Sequence, residues 1–149
     1  MRNRFFLFFL LFLFLSNCGY KPIYSTKNLN FTIGDIKKNN TSLNNKFAKS
    51  INSFKNEESG KKIDIKIESG KKTKIKSKDS KGNTLVFELE IYLKFTAFNI
   101  DNETEKLLLR KITFNNSDDK FKLKQYENDL EDILINEIVE DLINYLSNI

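Results

Sequence analysis

The chain has 149 residues, with 25 Lys or Arg against 20 Asp or Glu and a net charge of +5. It has no His and one Cys, which removes the usual general base, a Cys/His nucleophile pair and the Cys/His metal clusters. This inventory argues against an enzyme, and we expect no catalytic residues, no metal and no cofactor.

The N-terminus has the pattern of a secretory signal peptide. Arg2 and Arg4 precede an unbroken run of Phe and Leu over residues 5–15. As a helix this run reaches about 16 Å, whereas the hydrocarbon core of a membrane needs about 30 Å. A short apolar block after positive charges is typical of a segment that is removed on export, and we predict a lipoprotein-type signal peptide over residues 1–17.

Cys18 ends the segment Leu15-Ser16-Asn17-Cys18, which resembles the lipobox of bacterial lipoproteins. The resemblance implies an S-diacylglyceryl group on the thiol, cleavage before Cys18 and acylation of the new amine, with palmitate as an expected chain. Asn17 departs from the pattern, which usually holds Gly, Ala or Ser. A lone cysteine in an exported chain has no disulfide partner, which favours lipid attachment over an ordinary thiol behind an uncleaved anchor.

Cleavage would leave residues 18–149, enough for one domain, and would lower the net charge from +5 to +3 by removing Arg2 and Arg4. Residues 18–28 lack periodicity and are interpreted as a lipidated tether, and residues 29–149 as a single domain. Nine lysines between Lys61 and Lys81 make the middle basic, whereas the chain from Asp118 onward is acidic.

The domain begins with a strand and a helix. Leu29 to Ile33 alternate in polarity and predict a short strand that ends at Gly34. Thr41 or Ser42 can cap a following helix. Its apolar residues recur at helical spacing, which predicts one buried side, and Ser59-Gly60 is a predicted stop. These apolar residues are Leu43, Phe47, Ile51 and Phe54.

Three further strands follow. Ile63, Ile65 and Ile67 alternate with polar residues, and the alternation resumes at Lys72–Ser77 after a predicted bulge or turn at Ser69-Gly70. A hairpin is expected at Lys81-Gly82-Asn83. Residues 85–98 then hold seven alternate apolar positions and predict the central strand. After a turn over Asp101–Thr104, residues 107–114 predict the fourth strand.

A long amphipathic helix is predicted from about Lys120 to Leu146, capped by Ser117 or Asp118. Its polar face is acidic, and interfacial membrane helices favour Lys and Arg there, so we expect packing against the sheet. The predicted apolar face holds Tyr126, Leu130, Ile133, Leu134, Ile138, Val139, Leu142, Tyr145 and Leu146. The element order predicts an α+β, two-layer domain: about four mostly antiparallel strands with two helices on one face.

The segment Cys18-Gly-Tyr-Lys-Pro-Ile-Tyr24 resembles the mature start of the LPS-assembly lipoprotein family, LptE, and the element order is similar over nearly the whole mature chain. The resemblance implies a lipid-anchored protein on the periplasmic side of the outer membrane. It also implies binding to the LptD β-barrel as a plug and assistance in lipopolysaccharide transport to the cell surface. Gly19 agrees, because Asp after the lipidated Cys would indicate retention at the inner membrane.

Family basic residues linked to lipopolysaccharide lie near the turn before the long strand and near the start of the last helix. The matching positions are Lys81 and Lys124. Lys74, Lys76 and Lys78 extend the basic hairpin, and Lys is a suitable point-charge partner for lipid A phosphates. The simpler interpretation is that these lysines solvate a loop and a helix start.

Two other functions stay open at this point. One is a general periplasmic scaffold lipoprotein, and the other is an uncleaved, signal-anchored protein of the inner membrane, which Asn17 would allow. Nucleic-acid binding is not expected, because the signal peptide exports the chain.

Overall fold

The computed structural model describes residues 29–55, 61–99 and 102–149. The elements are β1 (Thr32–Lys38), α1 (Ser42–Asn52), β2 (Lys62–Lys78), β3 (Thr84–Asn99), β4 (Asn102–Asn115) and α2 (Lys120–Ser147). The four strands form one sheet in chain order, with β1 parallel to β2 and the other neighbours antiparallel. The predicted signal peptide, Cys18 and tether lie outside the described residues, as does the predicted stop at Ser59-Gly60.

The sheet has one face covered by both helices and one open face. β3 buries Leu89, Ile91, Leu93, Phe95 and Ala97 under the helices, because alternate side chains of a strand point to the same face. The helices also contact each other, since Lys46 Nζ of α1 donates to Asp132 Oδ1 of α2 at 2.7 Å. This arrangement confirms the predicted α+β fold with a mostly antiparallel sheet.

Two predicted boundaries at the start of the domain are wrong. β1 begins at Thr32 and continues through Gly34 to Lys38, with a register shift between Ile33 and Ile36. The amide of Asp35 donates to Asp64 Oδ1 at 2.8 Å, so the irregular residues still find partners within the sheet. Thr41 is confirmed as the cap of α1, since its Oγ1 accepts from the amide of Asn44 at 3.2 Å.

Ser69-Gly70 is neither a bulge nor a turn, because β2 runs unbroken past it. Gly70 lies opposite Tyr92 of β3. A Cβ on Gly70 would stand 2.5 Å from Cε1 of Tyr92, so the aromatic ring occupies the space above the glycine. The irregularity of β2 lies instead between Ile75 and Lys78, next to the hairpin.

The turn predicted at Asp101–Thr104 is too long, since Asn102–Thr104 belong to β4. Asp119, rather than Ser117 or Asp118, caps α2, and its carboxylate accepts from the amide of Lys122 at 3.0 Å. Packing of α2 on the sheet is confirmed, and six of the nine residues predicted for its apolar face are buried: Leu130, Leu134, Ile138, Val139, Leu142 and Leu146. The edge of the buried face differs from the prediction. Ile135 and Ile143 are buried, whereas Ile133 and Tyr126 are exposed.

Candidate functional site

Two turns meet at one end of the sheet, which we call the hairpin end: the β2–β3 turn (residues 79–83) and the β4–α2 loop (residues 116–119). Asn116 joins them, because its amide donates to Leu85 O at 2.8 Å and its Nδ2 donates to Thr84 O at 2.9 Å. Between the turns lies an open, mostly polar cleft of about 670 Å³. It is lined by Asp79, Asn83, Thr84, Leu85, Phe87, Asn116, Asp118 and Lys120.

The Asp79 carboxylate orders the β2–β3 turn. Oδ1 accepts from the amides of Lys81 and Asn83, both at 2.8 Å, and Oδ2 accepts from Asn83 Nδ2 at 2.9 Å. These hydrogen bonds, from the Asn83 side chain first, hold the pKa of Asp79 below its usual value. Gly82 has a φ of 86°, which a glycine adopts without strain. The turn therefore presents Lys81 from a defined backbone.

Replacing Asp79 with Ala should loosen this turn, because three donors lose their acceptor. We expect faster amide hydrogen exchange at Lys81 and Asn83, measured by NMR, while the centre of β3 stays protected. Acid should have the same effect on the wild type, since a carboxyl with a depressed pKa stabilises the turn above that pKa and stops doing so when protonated. Asp118→Ala is the control, and equal exchange in both variants would contradict the assignment.

The hairpin end also holds the predicted lysines nearest the turn. Lys78 and Lys81 are exposed there and form no ion pair within the described parts of the chain. Lys124 lies on the first turns of α2, where its Nζ is 2.8 Å from Glu127 Oε2. Lys78 and Lys81 are thus available to an external anion, whereas Lys124 has a carboxylate partner already.

Lys74 and Lys76 do not join this group. They lie on the open face, where their Nζ atoms are 3.3 Å from Glu90 Oε2 and 2.9 Å from Glu88 Oε2. Hydrogen bonds from lysines, Lys111 and Lys74 on Glu90 and Lys76 on Glu88, hold the pKa of both carboxyls below the usual value. The basic hairpin of the sequence therefore separates into free lysines at the turn and paired lysines along the strands.

Sequence reasoning did not assign Lys120, which lines the cleft. Its Nζ is 3.1 Å from Ser117 O and 3.4 Å from Asn116 Oδ1, so it is held over the β4–α2 loop. Lys120 directly follows the polar β4–α2 loop in the sequence, and this position was the available signal. A helix that starts beside a hairpin turn brings its first residues to that turn.

The described chain enters the sheet at the end opposite the hairpin. Thr32 at the start of β1 lies beside Lys62, and Asp64 lies opposite Phe98 at the far end of β3 from the hairpin. β3 has 16 residues and spans about 50 Å. The described chain therefore begins at the end of the sheet remote from Lys81.

The fold is similar to the folds of several solved bacterial lipoproteins. The rare lipoprotein B of Shewanella oneidensis superposes with a TM-score of 0.57 and 8% identity, covering 78% of this chain and 97% of that one. The lipoprotein B of Nitrosomonas europaea has a TM-score of 0.56 and 18% identity, over 87% and 90% of the two chains. A minor lipoprotein of Acinetobacter baumannii has a TM-score of 0.55 and 10% identity, over 78% and 93%.

No protein-family model matches the sequence, and a search of curated proteins finds no match. At these identities the solved structures establish the fold alone. Within the described ranges, neither helix is both long and apolar enough to cross a membrane.

Proposed function

We propose that this chain is a lipid-anchored protein on the periplasmic side of the outer membrane that binds an LptD-like β-barrel and assists lipopolysaccharide transport. The observation that carries the proposal is the shared fold, which covers 97% of the rare lipoprotein B chain. The Cys18 to Tyr24 motif supports it from the sequence, because it resembles the start of a mature lipoprotein of this family.

The proposed role is non-catalytic and needs no cofactor. The N-acyl and S-diacylglyceryl groups on Cys18 would hold the domain at the membrane, since more than one acyl chain makes attachment durable. Lys78 and Lys81 would contact phosphates of lipid A and the core sugars, for which an ammonium group is a point-charge partner.

Affinity purification of the tagged full chain from outer membranes tests the proposal. We expect a β-barrel protein at one-to-one stoichiometry and, by mass spectrometry, a mature chain that starts at acylated Cys18. An intact Met1 or Arg2 would contradict the lipid anchor, and isolation as a lone chain under gentle detergent would contradict the barrel partner.

The double variant Lys78→Ser/Lys81→Ser should bind lipopolysaccharide about tenfold more weakly, because each lysine contributes a charge-assisted contact. Isothermal titration calorimetry with purified lipopolysaccharide measures the affinity. It needs no fluorescent reporter, and the chain has no Trp to serve as one. Lys74→Ser/Lys76→Ser is the matched control with the same charge change, and it should bind nearly as well as the wild type because those lysines are neutralised by Glu90 and Glu88. Equal losses in the two variants would count against the turn.

A further inference from the structure

We propose that the outer edge of β4 pairs antiparallel with β4 of a second copy of this chain, which joins two sheets into one. β4 is the last strand of the sheet, and no described segment pairs with its outer edge. It has 14 residues, contains no proline and pairs with β3 without any register shift. A long regular edge of this kind is a template for another strand unless something blocks it.

The other free edge of the sheet is blocked. β1 pairs with β2 only as far as Ile67, and the uncovered remainder of β2 is rich in lysine, which discourages strand addition. These lysines are Lys71, Lys72, Lys74, Lys76 and Lys78. Lys72 and Lys78 of this segment form no ion pair among the described residues, whereas Lys71, Lys74 and Lys76 do. On β4, Lys111 Nζ is 2.9 Å from Glu90 Oε2 and Arg110 is paired with Asp141. The two edges thus differ in what they permit.

Exposed leucines select the register on the open face. Leu107 and Leu109 are 59% and 41% exposed, and Leu109 lies opposite Tyr92. With Leu108 opposite Leu108 of the second copy, each Leu107 faces Leu109 of the other chain. Cross-strand apolar pairs stabilise a sheet, and here Tyr92, Leu109 and Leu107 of the two copies would form one continuous apolar patch.

The same register makes the flanking charges of the open face complementary. Glu105 of each copy would face Lys111 of the other copy, which gives two such pairs related by the two-fold axis. Within one chain, Lys94 Nζ is 2.9 Å from Glu105 Oε1, and Lys111 is paired with Glu90. The joined sheet would therefore carry a row of alternating signs across the new boundary, which favours pairing.

On the helix-covered face the register brings Lys106 opposite Arg110 of the second copy. Arg110 is paired with Asp141, and its Nε is 4.0 Å from Glu137 Oε2, so one guanidinium faces two carboxylates. Lys106 packs its Nζ over the Tyr145 ring, 4.1 Å from the centroid. Lys106 and Arg110 carry the same sign, and Asp141 and Glu137 offset the charge of Arg110 within its own chain. The attraction that selects the register therefore comes from the open face.

Disulfide trapping tests the register in the full chain. Differently tagged Glu105→Cys and Lys111→Cys chains are co-expressed and oxidised mildly, and linked peptides are identified by mass spectrometry. We expect a disulfide that joins position 105 of one tag to position 111 of the other, because opposed residues are close enough for the bond. Either variant alone would hold its two copies of the new thiol roughly 20 Å apart, so it should yield no such link.

Sedimentation velocity of the purified full chain in detergent measures self-association directly. Leu107→Ser should weaken it about tenfold, and Ile75→Ser, which changes a similarly exposed residue on β2, should leave it unchanged. A monomer at every concentration, or trapping in which each variant links equally well to itself, would overturn the proposal. Protection of the β4 backbone amides from hydrogen exchange only in samples that contain a different, co-purified protein would also overturn it. The inference does not depend on lipid attachment or lipopolysaccharide binding.

Discussion

Phe95→Ala is expected to lower the free energy of unfolding by about 3 to 5 kcal/mol, because it removes a large ring from a well-packed core. Phe95 is 1% exposed, lies opposite Ile67 of β2 and packs edge-to-face on Tyr145 of α2, with 5.7 Å between ring centroids. The substitution would leave a cavity where the sheet meets the long helix. Urea denaturation followed by circular dichroism measures the change.

Phe98→Ala on the same strand is the matched control, because it removes the same ring from the open face. Phe98 is 37% exposed, so less apolar surface returns to water, and we expect a loss of about 1 kcal/mol. Equal losses at the two positions would mean that the helices do not cover the face that holds Phe95.

The contrast between Phe95 and Phe98 explains why β3 was predictable from sequence. A strand repeats every two residues, and β3 places an apolar residue at every second position from Leu85 to Ala97, so its buried side needed no knowledge of any partner. α2 was harder, because a helix that crosses a sheet buries a stripe whose rotation depends on the sheet beneath it. Ile133, which was predicted inside, is 48% exposed, whereas Glu131, one of the acidic residues of the predicted polar face, is 6% exposed.

The candidate site was predictable only in part, for a related reason. The turn at Lys81-Gly82-Asn83 has a local signature, and it lies where the sequence indicated. The pairing of Lys74 with Glu90 and of Lys76 with Glu88 depends on the register of the hairpin, including the irregularity between Ile75 and Lys78. No local sequence pattern reports that register. For this reason Lys74, Lys76, Lys78 and Lys81 resembled a single cluster in the sequence.

Glu131→Ala should lower the free energy of unfolding by about 3 kcal/mol, the low end for breaking a buried ion pair. The Glu131 side chain is 7% exposed, its Oε1 is 2.8 Å from Lys46 Nζ of α1, and its Oε2 is paired with Lys71 of β2. One carboxylate thus links three elements. Both lysine side chains are 37% exposed and would recover water contacts, which limits the loss.

Asp132→Ala is the control, because it removes another partner of Lys46. Asp132 is 61% exposed, so the change in the free energy of unfolding should stay within about 0.5 kcal/mol.

The dependence on pH separates the charge of Glu131 from its packing. Burial alone would raise the pKa of Glu131, but hydrogen bonds from Lys46 and Lys71 outweigh it and hold the pKa below its usual value. A group whose pKa is lower in the folded than in the unfolded chain stabilises the fold above the unfolded pKa, and that contribution disappears as the pH falls through the folded pKa. The stability difference between wild type and Glu131→Ala should therefore shrink as the pH is lowered from about 7 to about 3. A difference that stayed constant over this range would show that the side chain acts by filling space, and the ion pairs with Lys46 and Lys71 would then contribute nothing measurable to the joint between α1, α2 and β2.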